Sequence, residues 1–208
     1  MDQSATSETL SEMQDIIERE IQAIRNIPLD ENLLKATALI FERVHQQSGK
    51  LVVTGVGKAG EIGQNIATTF SSTGTPSVFL HPLEAVHGNI GMIQDQDIVL
   101  ALSNSGQTRE LLELLPIAKR LIPGLPILSI TGFEDSPLVE LSDVALSTGR
   151  PTEICPLGMT PTTSTTVMTV LGDILVYLMM KKIGFSREEY GKRHHGGYLG
   201  SLARGTDY

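Results

Sequence analysis

The spacing of apolar residues changes character at about residue 50. Before it, Leu10, Met13, Ile17, Ile21 and Ile24 fall on one stripe across residues 7–26, and Leu33, Leu34, Ala38, Phe41 and Val44 do the same across 29–48. This periodicity predicts two amphipathic helices, the second with Asp30 as its N-cap just after Pro28. Neither carries an obvious chemical group, so both are expected to serve packing or subunit contact. After residue 50, short apolar runs alternate with helical patterns. Strands are predicted at 51–55, 77–80, 98–102, 126–131 and 144–147. Helices are predicted at 61–72, 107–121, 136–141 and 161–180, the last opening on Thr160-Pro161 with the proline in its first position. The run 98–102 has no polar face, which suits a strand covered on both sides. Pro116 lies inside the 107–121 helix and removes one of its hydrogen bonds. The last helix is apolar nearly all round and is expected in the core or an oligomer interface. Repeated β-α-β units with right-handed crossovers imply an α/β fold, a three-layer α-β-α sandwich around a five-stranded parallel sheet with N-terminal helices added. Residues 1–28 read as an extension and 29–208 as a single domain.

Composition narrows the partners. The chain has 208 residues, a formal charge of −8 and a pI near 5.1, which argues against nucleic acid or an anionic membrane as the main partner. A small phosphate ester is compatible, because a local site can be positive on an acidic protein. The single cysteine, Cys155, excludes an internal disulfide and fits a reducing cytosol. It has no catalytic signature around it and is expected as a buried structural thiol. Residues 1–28 show no signal-peptide pattern, and the apolar run 167–180 is too short to span a bilayer.

Candidate chemistry gathers where strands give way to turns. Ser103-Asn104-Ser105-Gly106-Gln107-Thr108 lies between an apolar strand and a helix start. A hydroxyl-rich turn leading into a helix N-terminus makes an anion site, with phosphate its obvious guest. Glu110 follows in the first turn. Gly55-Val56-Gly57-Lys58-Ala59-Gly60 matches the dinucleotide-binding glycine pattern, but the second strand ends Phe79-Leu80-His81 with no acidic residue for a ribose. The G-x-x-x-x-G-K-[ST] pattern is absent too. The better reading is a tight turn aiming Lys58 into the cleft above the strand ends, where open α/β sheets bind ligands. His81, Glu84 and His87 are close enough in sequence to share a metal, although three ligands from one loop is a weak signal.

The segments TGVGKAG, SSTGTPSVFLHPLEAVHGNIGMI, LALSNSGQTRELLELLP, EICPLGMTPTTSTT and RHHGGYLG together resemble the sugar isomerase (SIS) domain family over about residues 30–204. Within it they resemble the branch that interconverts D-ribulose 5-phosphate and D-arabinose 5-phosphate. The SNSG-x-T turn is general to the family; the CPLG-x-x-PT-x-ST run is specific to the isomerases. The resemblance implies a flavodoxin-like SIS fold and a catalytic set of Lys58, Glu110, Glu153 and His194. It implies substrate contacts at Ser103, Asn104, Ser105, Gln107 and Thr108, with further ones at Gly74, Thr75, His81 and His87. It implies no required cofactor, an inhibitory zinc at His81, a homotetramer in which His87 or His194 serves a neighbouring subunit, and a place in the supply of the eight-carbon sugar acid of lipopolysaccharide or capsule. Three departures stand out. Asn89 replaces the family's aspartate after His87-Gly88, and His195 replaces a proline after His194. Longer members continue into paired CBS regulatory modules, so a SIS domain without them is expected here.

Moving a proton between C1 and C2 of a sugar phosphate needs a base for the carbon acid, a group for the hydroxyl protons and positive charge near the enediolate. Glu153 or Glu110 would be the base, His194 would open the ring or carry the O1/O2 proton, and Lys58 would stabilise the anion. A sugar-phosphate-binding regulator without catalysis is the alternative, but it has no use for those four residues together. A dehydrogenase reading lacks its ribose-binding acid.

Overall fold

The computed structural model describes residues 3–205, which covers both predicted parts except residues 1–2 and 206–208 at their outer ends. Two helices come first, α1 (Gln3–Arg25) and α2 (Glu31–Ile40), the latter passing into a π-helical turn, Phe41–Gln46. Asp30 caps α2 by accepting from the Asn32 N–H at 2.8 Å. Then β1 (Leu51–Gly55), α3 (Gly57–Ser72), β2 (Ser77–Phe79), α4 (Pro82–Val86), β3 (Ile98–Leu102), α5 (Arg109–Leu121), β4 (Ile127–Thr131), α6 (Pro137–Leu141) and β5 (Val144–Ser147) follow in alternation. The chain ends with α7 (Thr163–Ile183), α8 (Arg187–Arg193) and α9 (Gly197–Arg204).

The strands pair in parallel in the order β2-β1-β3-β4-β5. Every residue of β1, β3 and β4 is buried, as continuous apolar runs require when helices cover both faces. On one face, α1, α2, α3 and α7 close over Val53, Leu100, Leu128 and Ile130; on the other, α5 and α6 cover Val52, Val99, Ala101 and Ile127. Helix α7 is long and apolar enough to cross a membrane, yet half of its apolar stretch is buried inside the fold, where it packs on α3. Gly172 allows the close approach to α3, since a Cβ there would lie 2.5 Å from the Ile66 side chain.

Several boundaries differ from expectation. Helix α3 starts at Gly57, four residues early, because Gly57 takes φ +58 and turns the strand directly into the helix. The last core helix starts at Thr163 rather than at Pro161, so Pro161 stands outside it. Residues 82–86, read as loop, form the short α4, and the glycine-rich tail holds α8 and α9, whose glycines serve close packing and helix ends. At the N-terminal edge of the sheet, buried Asp97 accepts from the Lys50 N–H (2.8 Å), the Gln94 N–H (2.8 Å) and the Lys50 ammonium (2.6 Å). Asp97→Ala would orphan all three, so it should cost about 3 kcal/mol in urea unfolding; a loss below ~1 kcal/mol would show that water replaces the carboxylate.

Candidate active site

Parallel strands place all their C-terminal ends on one edge. Between β1 and β3 the winding reverses, so α3 leaves to one face and α5 to the other, and a crevice opens between them. Lys58 stands on one side of it, exposed in the first turn of α3. Among the described residues it pairs with no carboxylate. A cation at a helix N-terminus opposes the helix dipole, a cost that an anionic guest would remove.

The other side is the β3–α5 turn. Gly106 has φ +63, and a Cβ there would sit 2.0 Å from the Ser136 hydroxyl, so the turn needs glycine. The Ser103 hydroxyl is internal: it accepts from the Gly106 N–H (3.1 Å) and bonds Thr108 Oγ1 (2.7 Å). Asn104 is tied through its carbonyl to the Gly132 N–H at 2.9 Å, while its side-chain oxygen is buried with no partner among the described residues. Ser105 is exposed and accepts from the Gln107 N–H at 3.2 Å; Gln107 is exposed as well. With the Thr108 hydroxyl engaged, α5 has no side-chain cap, so its first N–H groups are left for a ligand. Glu110, half-buried in that first turn, makes no hydrogen bond among the described residues.

Glu153 reaches the same edge from the β5–α7 segment. Its Oε2 accepts from the Thr162 N–H (2.8 Å), the Thr162 hydroxyl (3.0 Å) and the Ser164 N–H (3.2 Å), sealing the start of α7, while Oε1 has no hydrogen-bond donor among the described residues. Burial alone would raise this carboxyl, but hydrogen bonds from Ser164 and Thr162 outweigh it and hold the group below the usual carboxylate range.

Other expected contacts lie apart. Gly74 and Thr75 precede β2, at the opposite edge of the sheet; Thr75 is buried and bonds His45 Nε2 at 3.1 Å. His194 ends α8, with its ring stacked 3.7 Å from that of Tyr190 and Nδ1 3.0 Å from the Tyr190 carbonyl. The preceding Arg193 lies over Phe185, just beyond α7. Glu153 is at the other end of that helix, which at 1.5 Å per residue is about 30 Å long. A single chain therefore brings Lys58, the Ser103–Thr108 turn, Glu110 and Glu153 to one edge, and leaves His194, Gly74 and Thr75 at the other.

His81 caps α4 at the end of β2, accepting from the Leu83 N–H at 3.3 Å, and His87 is exposed beyond that helix. Among the described residues no three His, Cys, Asp or Glu side chains gather as a metal-holding group, so the set His81, Glu84 and His87 does not fit a zinc ion within one chain. Cys155 departs from expectation as well. It is half-buried in an otherwise exposed loop, and its sulfur accepts from the N–H groups of Met159 (3.2 Å) and Thr160 (3.1 Å). Composition favours buried cysteines, but here the loop backbone decides.

A crevice at the switch point of a doubly wound parallel sheet, with an uncapped helix N-terminus on one side and a lysine at a helix start on the other, is the ligand-binding geometry of open α/β domains. The SIS domain pattern matches residues 45–178, and the chain belongs to that family. It is 45% identical over 184 residues to the arabinose 5-phosphate isomerase KdsD of Shigella flexneri, covering 88% of this chain and 54% of that protein. The chain thus spans about half the length of such curated relatives. A Bacteroides fragilis structure described as a phosphosugar isomerase involved in capsule formation superposes with a TM-score of 0.90 at 58% identity, covering 91% of this chain and 99% of that one. An Escherichia coli CFT073 protein solved in complex with A5P gives 0.80 at 34% identity, covering 93% and 100%.

The loop around Cys155 makes its own prediction. The Met159 and Thr160 N–H groups outweigh partial burial and lower the thiol from 9.0 to about 7. The rate of iodoacetamide alkylation should therefore reach half its plateau near pH 7; a midpoint above pH 8 would show that these contacts do not persist in solution.

Proposed function

We propose that the protein is an aldose–ketose isomerase acting on a five-carbon sugar phosphate, interconverting D-ribulose 5-phosphate and D-arabinose 5-phosphate. The observation that carries this is the uncapped N-terminus of α5, with Glu110 in its first turn, at the same edge of the sheet as Lys58 at the start of α3 and Glu153 at the start of α7. The phosphate would take the free N–H groups of α5 with Ser105 and Thr108. That holds C1 and C2 near the carboxylates and turns binding energy into orientation. One carboxylate, Glu110 or Glu153, takes the C1 proton of ribulose 5-phosphate. The electron pair moves to O2 as the enediolate forms, where the Lys58 ammonium offsets its charge. A proton passes from O1 to O2, the carbon-bound proton returns to C2, and C1 becomes the aldehyde carbon. The names of the similar proteins support the same substrate.

Proton transfer of this kind consumes no redox cofactor and needs no metal, and zinc is assigned no step. His194 has the chemistry for the O1–O2 transfer or for ring opening, and its place about one helix length from Glu153 supports its service in the site of a neighbouring copy within a homotetramer. The product suits supply of a lipopolysaccharide or capsule sugar acid, and the single free thiol suits the cytoplasm. A sugar-phosphate-binding regulator remains the second reading, favoured by nothing in the site beyond the anion pocket it shares with an enzyme.

Incubation with ribulose 5-phosphate, followed by NMR, should show arabinose 5-phosphate forming at a rate that a chelator does not lower. Absence of conversion would leave the regulator. In D2O, the variant lacking the base, Glu110→Gln or Glu153→Gln, should bind substrate but lose exchange at C1 by at least about a hundredfold, whereas a near-normal rate exonerates that residue. A mixture of inactive Lys58→Ala and His194→Ala chains, unfolded and reassembled together, should recover activity well above either parent. No recovery would place His194 in the site of its own chain.

A further inference from the structure

Helix α1, which carried no obvious chemistry in the sequence, touches the segment that holds Glu153. Glu20 Oε1 accepts a hydrogen bond from the Thr163 hydroxyl at 2.8 Å. Thr163 is buried at the first position of α7, and its Oγ1 in turn accepts from the Ile154 N–H at 3.2 Å, a donor it shares with the Thr162 hydroxyl, also at 3.2 Å. A hydroxyl has one proton and two lone pairs. Glu20 Oε1 takes that proton, which leaves the lone pairs for the Ile154 N–H. The residue so held is the one after Glu153, whose own carboxylate is fixed at the same helix start by Thr162 and Ser164. Arg19 adds a longer contact, 3.4 Å, to the Glu153 carbonyl.

The second oxygen of Glu20 is buried and has no partner among the described residues. A carboxylate oxygen removed from water without a donor costs stability, so packing alone is a poor reason for a glutamate here. A leucine would fill the same half-buried space without that cost. We propose that Glu20 is a positioning residue for the isomerase site: through Thr163 and Ile154 it sets the backbone that aims the free Oε1 of Glu153 at the substrate. The inference rests on the proposed catalytic use of this crevice, yet the contact itself can be tested without activity.

Glu20→Leu removes the acceptor, and Glu20→Gln keeps one in its amide oxygen. In Glu20→Leu, amide hydrogen exchange at Ile154 should quicken by about tenfold while the thermal midpoint stays level or rises. Its kcat should fall about tenfold with KM within about twofold of wild type, the pattern of a misplaced reacting group rather than lost binding. Glu20→Gln should stay within about threefold of wild type in kcat, which a role based on charge or bulk alone would not predict. Thr163→Val should match Glu20→Leu, and the double variant should be no worse than either, because both cut one chain of bonds. Unchanged Ile154 exchange and kcat in Glu20→Leu would overturn the proposal. So would a Glu20→Gln enzyme as slow as Glu20→Leu, or a loss of kcat that tracks a fallen thermal midpoint. An inactive wild type would defeat the isomerase reading alone, since the exchange measurement still reports on Glu20 and Thr163.

Discussion

Strand β3 is the constraint on which the molecule turns. Ile98 to Leu102 are all buried, and β3 is bonded on one side to β1 and on the other to β4. Parallel neighbours need right-handed crossovers, so the chain winds outward from β1 to β2 and then from β3 to β5. Helices leaving β1 and β3 must go to opposite faces. The gap they leave over the strand ends is a result of the sheet's winding, and it exists before any side chain is chosen to line it.

Two helix starts meet that edge and are treated differently. At α7 the first N–H groups are answered from within by Glu153, which accepts from Thr162 and Ser164. At α5 the capping hydroxyl of Thr108 is drawn to Ser103, and the N–H groups stay open. The same backbone dipole thus anchors a protein carboxylate at one helix and leaves room for a phosphate at the other. Lys58, in the first turn of α3, brings a positive charge to the same edge. Glu20 extends the arrangement one step outward, since the start of α7 is itself steadied from α1.

The proton chemistry proposed here asks for more groups than one chain gathers at that edge. His194 is held by Tyr190 and its neighbours at the far end of α7, beside the tail helices. Association of copies is the simplest way to bring a far-end histidine to a near-end crevice. It would make the assembly part of the site rather than a means of burying surface.

Strand identities, the parallel α/β class, the N-cap at Asp30 and the turn at Ser103–Thr108 between β3 and α5 were all legible in the sequence, because each depends on neighbours a few residues away. Burial on both faces shows as an unbroken apolar run, and a turn shows in its hydroxyls and glycine. The roles of Ser103 as an internal tie and of Glu153 as the seal of α7 were not legible, nor were the backbone donors around the half-buried Cys155, since they depend on which donors stand within 3.2 Å in space. Glu20 looked like any solvent-facing charge on an amphipathic helix until α1 was laid against α7. His194 and Gly74 were grouped with the site by resemblance, and the path of α7 put them at the opposite edge. Local periodicity settles which elements form; only packing decides which ends of them meet.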